Sequence, residues 1–381
     1  MSLYLDNAAT SYPKPESVYQ AVMHAMREVG ASPGRGGYRR SLEAGRIMFQ
    51  AREAAAALLS APDSSQIIFT HSATESLNMA LRGMLVPGDH VITSSMEHNS
   101  LARPLHLLQR QGILVTVVQA GADGQIDPTE IARALTPQTR MIAVGHVSNV
   151  SGTIQPVSAI SAIAQEAGVL FLVDAAQSAG SVPIDVVAGG IDLLAAPGHK
   201  GLYGPQGTGI LYVASRVALK PLLAGGTGSN STSEDQPESL PDGFEAGTHN
   251  LPGIAGLKAG IEFVMEQGVE KIGAHERSLV TCAIEQLSAL PGIKLHCPVD
   301  ATVRGAVLSF TIDGTDSSAL AFELDRRFDI AVRAGLHCAP RAHKTLGTFP
   351  GGTIRMSPGW FTTREDIAGF CDAVAMCLRP D

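Results

Sequence analysis

An α/β fold, with a mainly parallel sheet sandwiched between helices, is predicted by three features of the 381-residue sequence. Apolar runs rich in Val and Ile recur seven times with helical segments between them: 66–70, 89–95, 113–120, 140–148, 169–177, 192–200 and 207–214. Several are continuously apolar, as in Leu170 to Val173, so they need cover on both faces, which helices on a parallel sheet provide. A chain that is 45% hydrophobic and 17% charged can also bury a core beyond that of one simple domain.

The seven runs predict a seven-stranded sheet in a large α/β domain over residues 16–250. Residues 225–243, rich in Gly and Ser and without a periodic apolar face, read as a long loop. Beyond it the pattern predicts helices near 253–267 and 274–289, a strand at 306–312, and helices at 317–328 and 363–378. With residues 1–15, the segment 251–381 makes a smaller α+β domain.

The net charge of -8 argues against non-specific binding to nucleic acid or to an anionic membrane, since both need a basic surface. Five cysteines, odd in number and without paired CxxC spacing, suit a reducing cytoplasm better than a disulfide framework. Asp6 and the prolines at 13 and 15 interrupt any signal-peptide pattern, and no apolar run reaches membrane-spanning length.

In open α/β sheets ligands gather at the carboxyl ends of the strands, and polar residues follow the predicted strands here again and again. After 66–70, Ser72 and Glu75 have capping-box spacing, so a helix N-terminus would offer the N–H groups of Ala73 and Thr74 to a phosphate. An ordinary capped helix is the plainer alternative. After 89–95 comes His98, whose ring can stack on an aromatic ligand or exchange a proton, or merely face solvent. Asn149 can donate to a carboxylate or a phenolic oxygen, or be a turn residue.

Asp174 ends a wholly apolar strand, where a carboxylate is costly unless it meets a cation such as a protonated pyridine nitrogen. Gln177 follows within reach of a ring substituent, although Asp174 would also serve as a helix cap. Lys200 is the only lysine between Lys14 and Lys220 and ends a hydrophobic strand in a glycine-rich turn beside His199. A buried amine there loses its charge readily, and the neutral form makes Schiff bases.

Cys338 lies in a turn-rich stretch beside His337, with Arg333 and Arg341 near in sequence. Positive neighbours would favour the thiolate. Cys282, Cys371 and Cys377 fall at predicted helix positions and read as inert core. Zinc held by His337, Cys338 and His343 lacks a fourth ligand at suitable spacing. Arg355, ending a short apolar run, can clamp a carboxylate through its fork.

Eight motifs in order, LDNAAT, ATESLN, MEHNS, SNVSGTIQPV, VDAAQ, GHKGLYGPQGTGILYV, FEAGTHN and RAGLHCAP, make the chain resemble the cysteine desulfurases of the class V aminotransferase-like group. The likeness is to the SUF-type, or group II, branch that includes selenocysteine lyases. It implies the fold-type I architecture, pyridoxal 5'-phosphate as cofactor, a homodimer, and sulfur transfer feeding iron-sulfur cluster assembly. By the same resemblance Lys200 matches the Schiff-base lysine, Asp174 the partner of the pyridine nitrogen, His98 the stacking histidine and Gln177 the ligand of the phenolic oxygen. Thr74 and His199 match phosphate ligands, and Thr248 the threonine that reaches the phosphate of the other subunit. Asn149 and Arg355 match the groups that hold the substrate carboxylate, and Cys338 matches the sulfur acceptor.

The reaction so implied converts L-cysteine, or L-selenocysteine, to L-alanine, with a persulfide on Cys338 when sulfur is removed. The short loop around Cys338 implies that an acceptor protein or a small thiol comes to the pocket. Pro197 stands where the branch usually carries Ser, which removes one phosphate hydrogen bond and, uncompensated, weakens cofactor binding by ~1–3 kcal/mol. AGTHN also replaces the usual AGTPN, which leaves His249 without a role. Other class V reactions, such as transamination or epimerisation, would need Lys200 and Asp174 but have no use for RAGLHCAP. A nucleotide-binding protein on the same kind of sheet would need a GxGxxG or GxxxxGK[ST] loop, which the sequence lacks.

Overall fold

The computed structural model describes residues 3–34, 36–227, 232–298 and 300–378. Each of the seven apolar runs contains a strand of one seven-stranded sheet: β2 (Ile67–Thr70), β3 (His90–Ser94), β4 (Leu114–Val118), β5 (Thr139–Gly145), β6 (Leu170–Asp174), β7 (Leu193–Pro197) and β8 (Gly209–Val213). They follow β1 (Leu3–Tyr4), which lies elsewhere. The order across the sheet is β2-β8-β7-β6-β5-β3-β4. Only β8 runs against its neighbours, so the other six strands point their carboxyl ends to one edge.

Alternate residues of the buried strands feed two cores, which is why the runs read as continuously apolar. Ile67, Phe69, Phe171, Val173 and Leu194 pack with Ala51, Ala55 and Leu59 of helix Arg39–Leu59 and with Ile160 of helix Val157–Glu166. Ile68, Leu170, Leu172, Leu193 and Ala195 face the other way, onto Leu77 and Leu81 of helix Ala73–Met84 and Leu101 and Leu105 of helix Asn99–Gln109.

A second sheet is antiparallel, with order β12-β13-β10-β9, from β9 (Ile293–Leu295), β10 (Leu308–Ile312), β12 (Arg333–Gly335) and β13 (Thr353–Met356). Its core joins Leu308, Phe310 and Ile354 to Leu279, Leu324 and Phe370 of three helices, Val269–Leu287, Ser317–Phe328 and Arg364–Cys377. The N-terminal strand β1 pairs in parallel with β11 (Ile330–Ala331) on this side. Helix Leu251–Gln267, assigned to the smaller domain from sequence, instead buries Leu251, Ile254, Leu257 and Ile261 in the core of the large sheet. Its apolar face has its partners there, so we propose that the large domain extends to Gly268, where φ is 87°.

Residues 228–231 of the expected long loop lie outside the described residues; the part just after them is irregular, with a short 3-10 turn at Asp242–Phe244. No helix among the described residues is long and apolar enough to cross a membrane.

Candidate active site

The carboxyl ends of β2, β3, β5, β6 and β7 open onto a cavity of ≈ 250 Å³. Ten of the residues singled out from sequence line it: Ala73, Thr74, His98, Asn149, Asp174, Gln177, His199, Lys200, Cys338 and Arg355. Thr248 does not; it lines a separate cavity with Glu245 and His249.

Helix Ala73–Met84 begins at the end of β2 with Ser72 as its cap, accepting from the Glu75 N–H at 3.2 Å. The expected reciprocal half of the box is absent, because the Glu75 carboxylate takes the N–H of His71 instead, at 2.6 Å. Ala73 and Thr74 sit in the first turn, where N–H groups have no intrahelical partner. At the end of β7, Pro197 also lines the cavity. It lies beyond the last β6 pairing, Asp174 with Ala195, so its missing N–H takes nothing from that ladder.

Asp174 is buried, and burial raises its pKa, opposed by the Ala176 N–H at 2.9 Å, by Lys200 and by the Ser100 hydroxyl. No helix follows it: the backbone turns, so the carboxylate serves as a turn acceptor rather than a helix cap. Lys200 is pushed down to about 8 by burial; Asp174 opposes the shift and the Arg355 and Arg333 charges reinforce it. Roughly a tenth to a fifth of the amine is therefore neutral near physiological pH, far more than for an ordinary lysine.

His98 caps helix Asn99–Gln109: its Nδ1 accepts the Ser100 N–H at 3.0 Å, which assigns the proton of the neutral ring to Nε2. Burial first, then Lys200 and the nearby arginines, lower its pKa to about 4. The ring is uncharged and suited to stacking. His199 is likewise held near 4 by burial and Lys200, and its buried Nδ1 has no partner.

Arg355 on β13 is 2% exposed and has a defined setting. One guanidinium nitrogen donates to the Asn149 carbonyl at 3.1 Å, the other to Asp6 Oδ1 at 2.8 Å, and Nε is buried without a partner. Asp6 also pairs with Arg333 at 3.0 Å. Sequence reasoning used Asp6 only as a charge that interrupts a signal peptide. Its role as a double counter-ion depends on folding the N-terminal segment across the sheet edge, where it bridges to Ser357 while Ser11 N donates to the His199 carbonyl at 3.0 Å. Gln177 donates to the Ala8 carbonyl of the same segment at 2.9 Å.

Cys338 is exposed and lies between β12 and the short helix Pro340–Thr345. His337 and Cys338 adopt left-handed backbone angles, φ 46° and 56°, which non-glycine residues adopt only under constraint. The constraint is visible: Asn149 Nδ2 donates to the His337 carbonyl at 2.7 Å and the Asn99 N–H to that of Cys338 at 2.8 Å. Asn149 thus holds the cysteine loop, a partner its sequence position did not reveal. His337 is not the positive neighbour expected, because burial among Arg355, Arg333 and His343 drives its pKa to about 2. Cys371, on its helix, is pushed up to about 12 by burial and is unreactive. Among the described residues no cluster of three or more His, Cys, Asp or Glu could hold a metal ion.

Comparison with known proteins gives one consistent answer. The family model of aminotransferase class V matches residues 3–370. The chain is 39% identical to a probable cysteine desulfurase of Methanothermobacter thermautotrophicus, over 96% of this chain and 92% of the relative. It is 36% identical to a cysteine desulfurase of Yersinia pseudotuberculosis, over 96% and 90%. Among solved structures, the apo cysteine desulfurase of Thermococcus onnurineus superposes with a TM-score of 0.92 at 32% identity, covering 99% of this chain and 94% of that one. An Escherichia coli cysteine desulfurase in an S-sulfonic acid form gives 0.90 at 33%, with the same coverage of 99% and 94%. The fold is therefore the fold-type I architecture expected from the motifs. Matched along almost its whole length, the chain belongs to the class V aminotransferase family.

Proposed function

We propose that the protein is a pyridoxal-phosphate-dependent cysteine desulfurase, converting L-cysteine to L-alanine and leaving a persulfide on Cys338. The observation that carries this reading is the meeting of Lys200, Asp174, Arg355 and an exposed cysteine at one cavity, from elements as far apart as β6 and the 336–339 loop. The residues fit the cofactor. The partnerless Nδ1 of His199 and the open N–H groups of Ala73 and Thr74 offer donors to a phosphate, and a buried Asp174 across from Lys200 suits a pyridinium. When bound, pyridoxal phosphate supplies an electron sink for the substrate Cα–H bond.

The side chains of the protein do the rest. Lys200 would hold the cofactor covalently and, released from it, move the α-proton as a neutral amine. Asp174 would keep the pyridine nitrogen protonated, His98 would stack on the ring and Gln177 would hold its phenolic oxygen. Arg355, fixed by Asp6 and Asn149, presents Nε and the open edge of its fork to the substrate carboxylate. Cys338 thiolate attacks the substrate sulfur; the new S–S bond forms as the Cβ–S bond breaks, and the electron pair left on carbon takes up a proton to give alanine. We further propose a homodimer in which Thr248 reaches the phosphate of the other subunit, a cytoplasmic location, and an acceptor protein or small thiol that collects the sulfur for iron-sulfur cluster assembly.

The test is incubation of the purified, yellow protein with cysteine and a reductant: equal amounts of alanine and sulfide are expected, and neither product would refute the reading. Two finer outcomes follow. Capture of pyridoxal phosphate by cofactor-free protein should speed up about tenfold per pH unit below pH 8 and level off above it, because only neutral Lys200 reacts. Stopped-flow absorbance against pH measures this. Arg355→Lys loses Nε and the fork, and should lower kcat/KM for cysteine by roughly 30- to 300-fold, about 2–3.5 kcal/mol, mostly through KM.

A further inference from the structure

Among the described residues two carboxyl side chains line the cavity; the reaction as derived uses Asp174 and leaves Glu97 idle. Glu97 is 3% exposed and reaches between two strands where their pairing has stopped. The β3 and β5 ladder ends at Ile92 with Ile142. Beyond it, Glu97 Oε2 accepts the Gly145 N–H at 2.9 Å, while Oε1 makes a short contact with the Ser94 hydroxyl, which also accepts the Met96 N–H at 3.1 Å. Gly145 is the register partner of Asp174 on β6, and His98 is the residue after Glu97. One side chain therefore ties the turn that aims His98 to the strand end beside Asp174. The fit is close: a Cβ on Gly145 would stand 3.3 Å from Oε2.

We propose that Glu97 is a positioning residue of this site, held as an uncharged carboxylic acid, so that it braces His98 while leaving Asp174 the only anionic side chain, among the described residues, that lines the cavity. An uncharged acid keeps both contacts: Oε2 accepts from the Gly145 N–H, and the Ser94 hydroxyl, placed as the donor to Oε1, has a lone pair with which to accept instead. Burial and the neighbouring Asp174 charge both raise its pKa, to about 8. The other groups around it do not supply a counter-charge: His98 and His146 are both neutral, held near 4 by burial, and Lys200 is the partner of Asp174. An ionised Glu97 would face Asp174 with a like charge in a desolvated site.

The inference rests on the cofactor reading above for its consequence but not for its first test. Infrared spectra of the full-length protein near neutral pH should show, beside the carbonyl band of Glu276, whose pKa burial also raises to about 8, a protonated-carboxyl band of Glu97 that vanishes in Glu97→Gln and persists in Cys338→Ala. In the holoenzyme, Glu97→Gln supplies the same donor and acceptor and should keep kcat within about threefold and the visible band unchanged, whereas Glu97→Ala should lose about tenfold or more and shift the band. Absence of the Glu97 band, or a Gln variant as impaired as the Ala variant, would overturn the proposal. Failure of the protein to bind pyridoxal phosphate would leave the infrared result standing and count against the cofactor reading instead.

Discussion

Lys200→Ala is expected to abolish turnover of cysteine, by at least about a thousandfold, and to leave a protein that borohydride no longer labels at this position. The size of the effect follows from the setting of the amine. Burial lowers its pKa to about 8, so it is available as a base and as a nucleophile, and among the described residues it is the only lysine lining the cavity. Lys14, also shifted to about 8, is the nearest alternative, but its ammonium is engaged by Ser11 O at 2.9 Å, Ser11 Oγ at 2.8 Å and His199 O at 3.2 Å. It does not line the cavity, so it cannot take over. Lys200→Arg should fail equally, since a guanidinium stays protonated. Peptide mapping after borohydride treatment of the wild type should place the label on Lys200; a label elsewhere would reassign the amine.

Cys338→Ala should reduce alanine formation from cysteine to background, a loss of roughly a hundredfold or more, while exchange of the substrate α-proton with deuterated solvent continues. The two halves separate because Lys200, in the turn after β7, and Arg355, within β13, are held by the sheets, whereas the thiol sits on a loop of its own. That loop is fixed through backbone carbonyls, by Asn149 on His337 and by the Asn99 N–H on Cys338, so removing the sulfur leaves its path intact. Selenocysteine should still be turned over by the variant, because selenium leaves without a strong thiol nucleophile. Loss of proton exchange together with alanine formation would mean that Cys338 shapes the cavity rather than accepting sulfur.

Much of this architecture was legible in the sequence, for a physical reason. Strands covered on both faces are apolar along their buried length, so the inner parts of β5, β6 and β7 announce themselves as apolar runs, and Asn149, Asp174 and Lys200, at or just beyond their ends, fall at the ligand edge. Lys200 and Asp174 were readable because a charge at the end of such a run is an energetic exception. The residues that were missed act through partners far away in the chain. Asp6 meets Arg355 across 349 positions, and nothing local in LDNAAT indicates that it neutralises a guanidinium. Glu97 sat beside a residue already singled out, yet its burial comes from the gap between β3 and β5, which only the folded sheet reveals. The neutrality of His337 was hidden because its place beside Cys338 in the sequence says nothing of its burial. The apolar face of helix Leu251–Gln267 is plain from the sequence, but its packing against the large sheet is not, which is why we propose moving the domain boundary.

The central claim is that the exposed thiol at the rim of the cavity receives the sulfur. Its most direct test is mass analysis of the Cys338 peptide after brief incubation of the holoenzyme with L-cysteine and no reductant. The account predicts a mass increase of one sulfur atom on Cys338, reversed by reductant and absent from Cys282, Cys297, Cys371 and Cys377. An unmodified Cys338 in protein that has released alanine would contradict it.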